Sequence, residues 1–203
     1  MVTTIKVSLS LLVLFAVAYR GLIINAIDEW SDFEIQESTI EEIQEAFTLN
    51  KLTSRQLVDF YIHRIKVLNH ILGAVLEVNP DARDQADKAD CERREDQDRS
   101  LLHGIPVLLK DSIATFDKLN TTAGSYALLG SKVPRDAHVV SKLREAGAII
   151  LGKSSLPEWY GFRSTIMPKT WCPRGGFALV SSTHHFTYMK NDKFFFSFLS
   201  IMW

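Results

Sequence analysis

The chain has 203 residues, of which 46% are hydrophobic and 23% are charged, and its formal net charge is −1. This composition excludes a collagen, a disordered polyampholyte and a polytopic membrane protein. Because 23 Lys and Arg are balanced by 24 Asp and Glu, there is no basic excess for nucleic acid or anionic lipid, and neither is expected as a partner. The 2 cysteines show no metal-ligand spacing, so we expect neither a disulfide scaffold nor a bound metal.

The N-terminus predicts a secretory signal peptide over residues 1–26. Lys6 precedes an apolar run from Val7 to Ala18, which is too short to cross a bilayer as a helix but suits a signal h-region. Small residues suited to cleavage occur at Ala16–Ala18 and near Ala26. We therefore expect a protein of the secretory pathway or the extracellular space, with no membrane attachment after cleavage. An uncleaved anchor or a buried N-terminal helix is the alternative.

Two capping-box patterns predict the starts of two helices after this segment. They are Ser38–Glu41 and Thr53–Gln56, and each is followed by apolar residues at helical spacing. The residues expected on the buried faces are Ile40, Ile43, Phe47, Leu57, Tyr61, Ile65 and Leu68. The short apolar run Ile71–Val78, closed by Asn79 and Pro80, predicts a strand.

The middle of the chain alternates between helix and strand patterns. Residues 81–99 predict a solvated helix with a thin apolar stripe, and Ile105–Leu109 is typical of a buried strand that ends abruptly at Lys110. A turn-rich stretch over residues 120–134 leads to an amphipathic helix and then to a buried strand, Ala148–Leu151. The predicted apolar positions of the two helices are Ala82, Ala86, Ala89, Val139, Val140, Leu143 and Ala146. This alternation indicates an α/β layered domain.

Residues Gly147–Ser154 match the phosphate-binding pattern G-x-x-x-x-G-K-S. That pattern binds nucleotides where a strand precedes it and a helix begins at its lysine. Here a helix pattern precedes the motif, its variable residues are typical of a strand, and Pro157 lies where the helix would build. We therefore expect no bound nucleotide.

On physical grounds, Lys110 is the residue whose position most clearly suggests a chemical role. It follows an apolar strand and so lies at the carboxyl end of that strand, where ligand crevices form in α/β sheets. Partial burial lowers the pKa of a lysine, and the neutral amine can then act as a base. The alternative is a structural lysine that pairs with Asp111 or extends into solvent.

Several segments, in order along the chain, resemble the amidase signature family, and the last two resemble its plant members in particular. They are Leu102–Asp111, Thr121–Ser125, Asp136–Ala148, Leu151–Lys153 with Leu156, Glu158 and Trp159, then Phe162–Ser164 and Trp171–Gly176. A set of ordered motifs is more specific than any single one. The resemblance extends from about Ile35 to Gly176 and predicts a partial amidase signature domain over residues 27–176.

The resemblance implies an α/β fold, namely the N-terminal part of a mixed β-sheet flanked by helices, incomplete in this chain. It also implies hydrolysis of a small carboxylic amide by a Ser–cis-Ser–Lys triad, without a cofactor. In that mechanism one serine attacks the carbonyl, the second relays its proton, a neutral lysine is the terminal base, and loop N–H groups stabilise the oxyanion. Lys110 matches the triad lysine, and Gly124 and Ser125 match a loop that lines the site.

The family places both triad serines in glycine- and serine-rich loops downstream of the segment that ends here at Gly176. Ser154–Ser155 occupies a different motif, and Ser181–Ser182 has no neighbouring glycine to expose amide groups. We therefore expect a chain truncated before the serines that does not turn over amides. The alternative is a non-catalytic secreted fragment that acts as a binding or interaction protein.

Residues 177–203 form an aromatic-rich tail that departs from the family pattern. We interpret this tail as out-of-family sequence, with a buried strand or an aggregation-prone end as the alternatives. Asn120 begins an Asn-Thr-Thr sequon and is a glycosylation candidate, although a buried, unmodified asparagine fits equally well. Cys91 and Cys172 could pair in an oxidising compartment or remain free thiols. The sequence carries no signal for the oligomeric state.

Overall fold

The computed structural model describes residues 35, 38–97 and 100–179, in which helices and short strands alternate. The α-helices are α1 (Ile40–Thr48), α2 (Ser54–Leu72), α3 (Ala82–Arg94) and α4 (His138–Glu145). The strands are β1 (Val75–Val78), β2 (Pro106–Lys110), β3 (Ile149–Ser154), β4 (Trp171–Cys172) and β5 (Gly176–Phe177). Short 3-10 helices lie at Tyr126–Leu128 and Glu158–Gly161. The predicted signal peptide over residues 1–26, and the tail from residue 180 onward, lie outside the described residues.

The first three strands form a mixed sheet in the order β1–β3–β2. The central strand β3 pairs antiparallel with β1 and parallel with β2, so β2, α4 and β3 form a β-α-β crossover unit. Lys110 pairs with Ser154 in this register. The carboxyl ends of β2 and β3 therefore meet at one edge of the sheet. The predicted α/β fold, a mixed sheet with flanking helices, is confirmed.

Both faces of β3 are buried. One apolar cluster lies on the face that α4 covers, and it consists of Val107, Leu109, Leu119, Val140, Ala148 and Ile150. Ile149 and Leu151 point to the opposite face because side chains alternate along a strand, and they are also buried. Helix α2 contacts α3, and both contact the sheet. The continuous apolar run of β3 is thus explained by burial on two sides.

Helix α3 has the thin apolar stripe that its sequence predicts. Ala82, Ala86 and Ala89 are its buried residues, and their small side chains allow the charged helix to lie close to its neighbours. The helix is shorter than the predicted 81–99, because it ends at Arg94.

Four local predictions need correction. The capping box of α1 is formed by Thr39 and Glu42, not by Ser38–Glu41, because both pairs have the required spacing and Ser38 is instead buried outside the helix. The strand predicted over Ile71–Val78 begins only at Val75, since α2 continues through Leu72. The strand predicted over Ala148–Leu151 continues to Ser154. In α4, Val139 is 50% exposed, so the buried face is narrower than predicted.

The capping box of α2 is confirmed. The Thr53 side chain accepts a hydrogen bond from the Gln56 N–H, and the Gln56 side chain accepts one from the Thr53 N–H. Within the described ranges, no helix is long and apolar enough to cross a membrane.

Candidate active site

Lys110 lies at the carboxyl end of β2 and is half-buried. Its Nζ donates a hydrogen bond to the carbonyl oxygen of Ser155 at 3.1 Å. Burial lowers the pKa of Lys110 from its ordinary value, because a low-dielectric surrounding disfavours the ammonium form. A lysine held by a neutral carbonyl, with a lowered pKa, is closer to the neutral amine that a general base requires.

The neighbouring residue, Asp111, organises the loop that follows β2. Its carboxylate is 0% exposed and accepts hydrogen bonds from the Thr122 hydroxyl and from the Gly124 N–H at 3.0 Å. Its backbone carbonyl accepts from the N–H groups of Thr122 and Ala123 at 3.0 and 3.1 Å. The loop 111–124 is therefore folded back onto the end of β2, beside Lys110.

Gly124 is the last residue of this loop and Ser125 follows it directly. Their polar groups form hydrogen bonds with neighbouring residues of the same segment. The Gly124 N–H is used by Asp111. The Ser125 hydroxyl accepts from the Ala127 N–H at 3.3 Å and caps the short 3-10 helix Tyr126–Leu128. Both residues are buried. In this arrangement the Gly124 N–H and the Ser125 hydroxyl oxygen already have partners, in Asp111 and in the short 3-10 helix respectively.

The second cation of the site, Arg174, lies between β4 and β5 and pairs with Asp111. Its Nη1 is 3.2 Å from Asp111 Oδ1, and its Nη2 is 3.0 Å from Glu77 Oε2. The alternative that Lys110 pairs with Asp111 therefore does not describe the structure, because the guanidinium of Arg174 is the ion-pair partner of that carboxylate.

Lys153 is a buried lysine whose role the sequence did not reveal. It belongs to the motif that resembles a phosphate-binding loop, but it lies within β3 and its side chain is 0% exposed. Its Nζ donates to the Ile113 carbonyl at 2.5 Å and to Thr121 Oγ1 at 3.0 Å. Burial lowers its pKa to about 8, although nearby carboxylates led by Asp111 oppose the shift. The signal that could have found it was its position directly after a strand pattern that ends at Leu151 and Gly152.

Ser154 and Ser155, which contact Lys110 through the backbone, do not form a nucleophile pair with it. Ser154 and Ser155 are buried, and Ser155 meets Lys110 through its backbone carbonyl. The Ser155 hydroxyl lies 3.7 Å from the Sγ of Cys172, which is itself buried. Cys91 is an exposed free thiol on α3, and Cys172 is also a free thiol. Ser181–Ser182 lies outside the described residues.

An aromatic segment lies against the loop that follows Lys110. Trp159 and Tyr160 both have positive φ values, 50° and 55°, which are strained for residues with a side chain. The Trp159 N–H donates to the Ala123 carbonyl at 3.0 Å, and the Tyr160 hydroxyl is hydrogen-bonded to the Ser112 hydroxyl. Tyr160 is 60% exposed and Trp159 is 37% exposed. The sequence motif identified Trp159 but not this contact with the site.

Asn120 is half-buried, and its side chain is engaged on both sides. The Nδ2 donates to the Glu77 carboxylate at 3.0 Å, and the Oδ1 accepts from the Gly130 N–H at 2.9 Å. A glycan on Nδ2 would displace Glu77, so glycosylation remains a prediction that competes with this hydrogen bonding. Among the described residues, no group of His, Cys, Asp or Glu side chains is arranged to hold a metal ion.

The chain is similar to known amidases over most of the described residues. The family model named Amidase matches residues 56–174, a range that includes Lys110, Gly124 and Arg174. A protein described as "Probable amidase" from Arabidopsis thaliana is 60% identical over 147 residues, which are 71% of this chain and 29% of that relative. A second relative named as an amidase, from Schizosaccharomyces pombe, is 44% identical over 142 residues, which are 70% of this chain and 24% of that protein.

Solved structures show the same relationship at the level of the fold. The native peptide amidase of Stenotrophomonas maltophilia matches with a TM-score of 0.67 and 43% identity, over 70% of this chain and 29% of that one. An amidase family protein from Bacillus anthracis matches with a TM-score of 0.68 and 35% identity, over the same shares of the two chains. This chain therefore spans 29% or less of the length of these relatives. Because the Amidase model covers more than half of the chain, the chain belongs to the amidase family.

Proposed function

We propose that this segment supplies the lysine base of an amide-hydrolysing Ser–cis-Ser–Lys site, and that Lys110 is that lysine. The observation that carries the proposal is the environment of its amine. The Nζ is half-buried at the carboxyl end of β2 and donates to the Ser155 carbonyl, while the adjacent carboxylate of Asp111 is occupied by Arg174. An amine with no carboxylate bound to it loses its proton more easily.

The mechanism assigns the following steps to the site. The neutral amine of Lys110 accepts a proton from the bridging serine, which in turn takes the proton of the attacking serine hydroxyl. The attacking oxygen forms a bond to the amide carbonyl carbon, the C–N bond breaks, and the amine departs with a proton returned along the same path. Water then attacks the acyl-serine, gives its proton to the same relay, and releases the carboxylic acid and the free serine. Loop N–H groups stabilise the oxyanion. The substrate class is a small carboxylic amide.

We further propose that the 203-residue chain does not perform this reaction by itself. A nucleophilic serine pair needs neighbouring backbone N–H groups that are free to bind an oxyanion. Ser154 and Ser155 are buried, and the Gly124 N–H already donates to Asp111. The expected outcome is that purified chain and Lys110→Met release equal, background amounts of ammonia from a fatty-acid amide, an amino-acid amide and glutamine. Turnover by the wild-type chain that disappears in Lys110→Met would refute the proposed inactivity.

A chimera tests the role of Lys110 directly. Residues 27–174 of this chain are joined to the downstream part of the Arabidopsis thaliana relative, which is 60% identical over the shared region. We expect the chimera to hydrolyse amides and Lys110→Met to lower kcat by at least about a hundredfold, the range of general base catalysis. The exposed Lys66 provides the control substitution, Lys66→Met. Equal activity of Lys110→Met and Lys66→Met would contradict the assignment.

The second candidate is a non-catalytic secreted protein that binds a ligand or a full-length relative. The buried, self-satisfied loop around Gly124 favours it for the chain alone. Secretion itself is proposed from the N-terminal apolar run, and expression with residues 1–26 intact tests it. We expect the protein in the medium with a mass that lacks this segment. Retention in the cytosol at full mass would refute secretion.

A further inference from the structure

Arg174 joins three parts of the chain that are far apart in sequence. Its Nη2 donates to the carboxylate of Glu77 in β1 at 3.0 Å, and its Nη1 donates to Asp111 at 3.2 Å and to Thr122 Oγ1 at 3.0 Å. Its side chain is only 10% exposed. One guanidinium therefore ties β1, the end of β2 and the loop that carries Gly124, a geometry that the planar fork of arginine suits and a lysine does not.

Arg174 also balances a charge that would otherwise be costly. Asp111 is 0% exposed, and a buried carboxylate without an opposite charge either destabilises the fold or takes up a proton. As a charged acceptor, Asp111 binds the Thr122 hydroxyl and the Gly124 N–H. Arg174 thus supplies the opposite charge for the carboxylate that holds the loop.

The backbone around Arg174 touches the same loop. The Arg174 N–H donates to the Gly124 carbonyl at 3.4 Å. A Cβ at Gly124 would lie 2.8 Å from the Cβ of Cys172 in β4, so the loop and the β4–β5 hairpin are in direct contact. The β4–β5 hairpin therefore packs against the loop, and Arg174 is the charged residue that connects the two.

We infer that Arg174 is a positioning residue: it holds the Gly124 loop against the carboxyl end of β2, beside Lys110. The importance of Arg174 for catalysis rests on the proposed function of Lys110. Without Arg174, Asp111 loses its ionic partner beside the candidate base. The loop then loses its anchor beside Lys110, and because burial is what lowers the pKa of Lys110, greater exposure of the amine is expected to raise that pKa.

Hydrogen exchange of the complete 203-residue chain, read by mass spectrometry, tests the structural half of this inference. In Arg174→Met we expect amides of residues 119–126 to exchange at least about tenfold faster, while amides of α2 change less than about twofold. In Arg174→Lys the loop is expected to show an intermediate rate, because an ammonium retains the charge but not the fork. The matched control is Arg83→Met, which removes an arginine paired with Asp59 at 2.6 Å and should leave the loop unchanged.

The second readout is the pH dependence of Lys110 labelling by an amine-reactive ester. Arg174→Met is expected to move the labelling midpoint of Lys110 to higher pH, because the loosened loop exposes an amine whose pKa is lowered by burial. Arg174→Lys is expected to shift the midpoint less. If Arg174 stabilises the fold without holding the loop beside Lys110, neither variant shifts the midpoint. Loop exchange in Arg174→Met within about twofold of wild type, or an equal effect of Arg83→Met, overturns the inference. If Arg174→Met unfolds the whole chain, Arg174→Lys decides, and a loop rate equal to wild type then overturns it.

Neither readout requires turnover. An inactive chimera combined with the expected exchange and labelling shifts would reject the proposed function while supporting the positioning role. An active chimera with unchanged loop exchange would support the proposed function and reject the positioning role of Arg174.

Discussion

Lys153 shows how a single residue can match one motif and serve another purpose. The pattern around it is that of a phosphate-binding loop, yet its amine points into the protein and binds the Ile113 carbonyl and Thr121 Oγ1. Those two acceptors belong to the loop that follows Lys110. The buried amine of Lys153 thus binds the loop beside the candidate site, and burial of this lysine makes the free energy of unfolding depend on pH.

The stability of the chain should depend on pH through Lys153. Its pKa is about 8 in the folded chain, against an ordinary value of 10.5, so between these pH values the unfolded chain holds a proton that the folded chain lacks. The free energy of unfolding therefore rises with pH across this window, and the cost of burying the charge is fully present below pH 8. Urea unfolding at several pH values measures it, with Lys153→Met as the control that lacks the rise. Parallel pH curves for the two proteins would contradict this prediction.

Gly124 is a second residue whose identity is set by its surroundings. Its φ is +74°, and an added Cβ would lie 2.8 Å from Cys172 Cβ. Gly130 has a similar φ of +79° but open space around it. We expect Gly130→Ala to lower the free energy of unfolding by about 1–2 kcal/mol through its backbone alone, and Gly124→Ala to lower it by a further ~1–3 kcal/mol through overpacking. Chemical denaturation checks this, and equal losses would show that Gly124 is not tightly packed.

At the scale of elements, the helices were predicted better than the strands. The Thr53 box, the buried face of α2 and the alanine stripe of α3 follow from local spacing, because capping and the 3.6-residue period act within a few residues. The boundary between α2 and β1 did not follow. Ile71 and Leu72 fit either element, and the helix ends at Gly73, whose φ of 57° breaks it.

The N-cap of α2 should contribute measurably to stability. Thr53→Ala removes the side-chain acceptor for the Gln56 N–H and is expected to lower the free energy of unfolding by ~1 kcal/mol. Thr53→Ser keeps the hydroxyl and should stay close to wild type. The urea midpoint of each variant provides the measurement, and equal midpoints for the two variants would show that the cap is not used in solution.

At the scale of the whole molecule, several large apolar side chains in and around the aromatic segment are exposed. Phe162 is 91% exposed and Ile166 is 92% exposed, and Phe116 and Tyr160 are also exposed. Exposed apolar residues of this size, when they occur close together, promote association. These exposed side chains are why we expect the isolated chain to be poorly soluble.

Replacing the most exposed apolar residues should improve solubility without changing stability. The double variant Phe162→Ser/Ile166→Ser removes side chains that bury almost nothing in the described structure. We expect less aggregate by light scattering and an unchanged urea midpoint. Val67→Ser, at a position 49% exposed on α2, is the control at an exposed apolar residue of another element. Equal aggregation of the double variant and wild type would locate the association elsewhere.

The sequence by itself determined the α/β class, the capped helices, the strand that ends at Lys110 and the family, because these depend on local spacing and on ordered motifs. Only the tertiary structure decided how Lys110 and its neighbours are paired. Arg174 reaches Asp111 across 63 positions and Glu77 across 97, and Lys153 turns inward because β3 is buried on both sides. Which charged side chains form ion pairs depends on which elements lie next to each other in the fold, and a local sequence pattern does not determine this. The balanced charge of the chain therefore conceals a specific network in which arginine, not lysine, neutralises the buried carboxylate beside the candidate base.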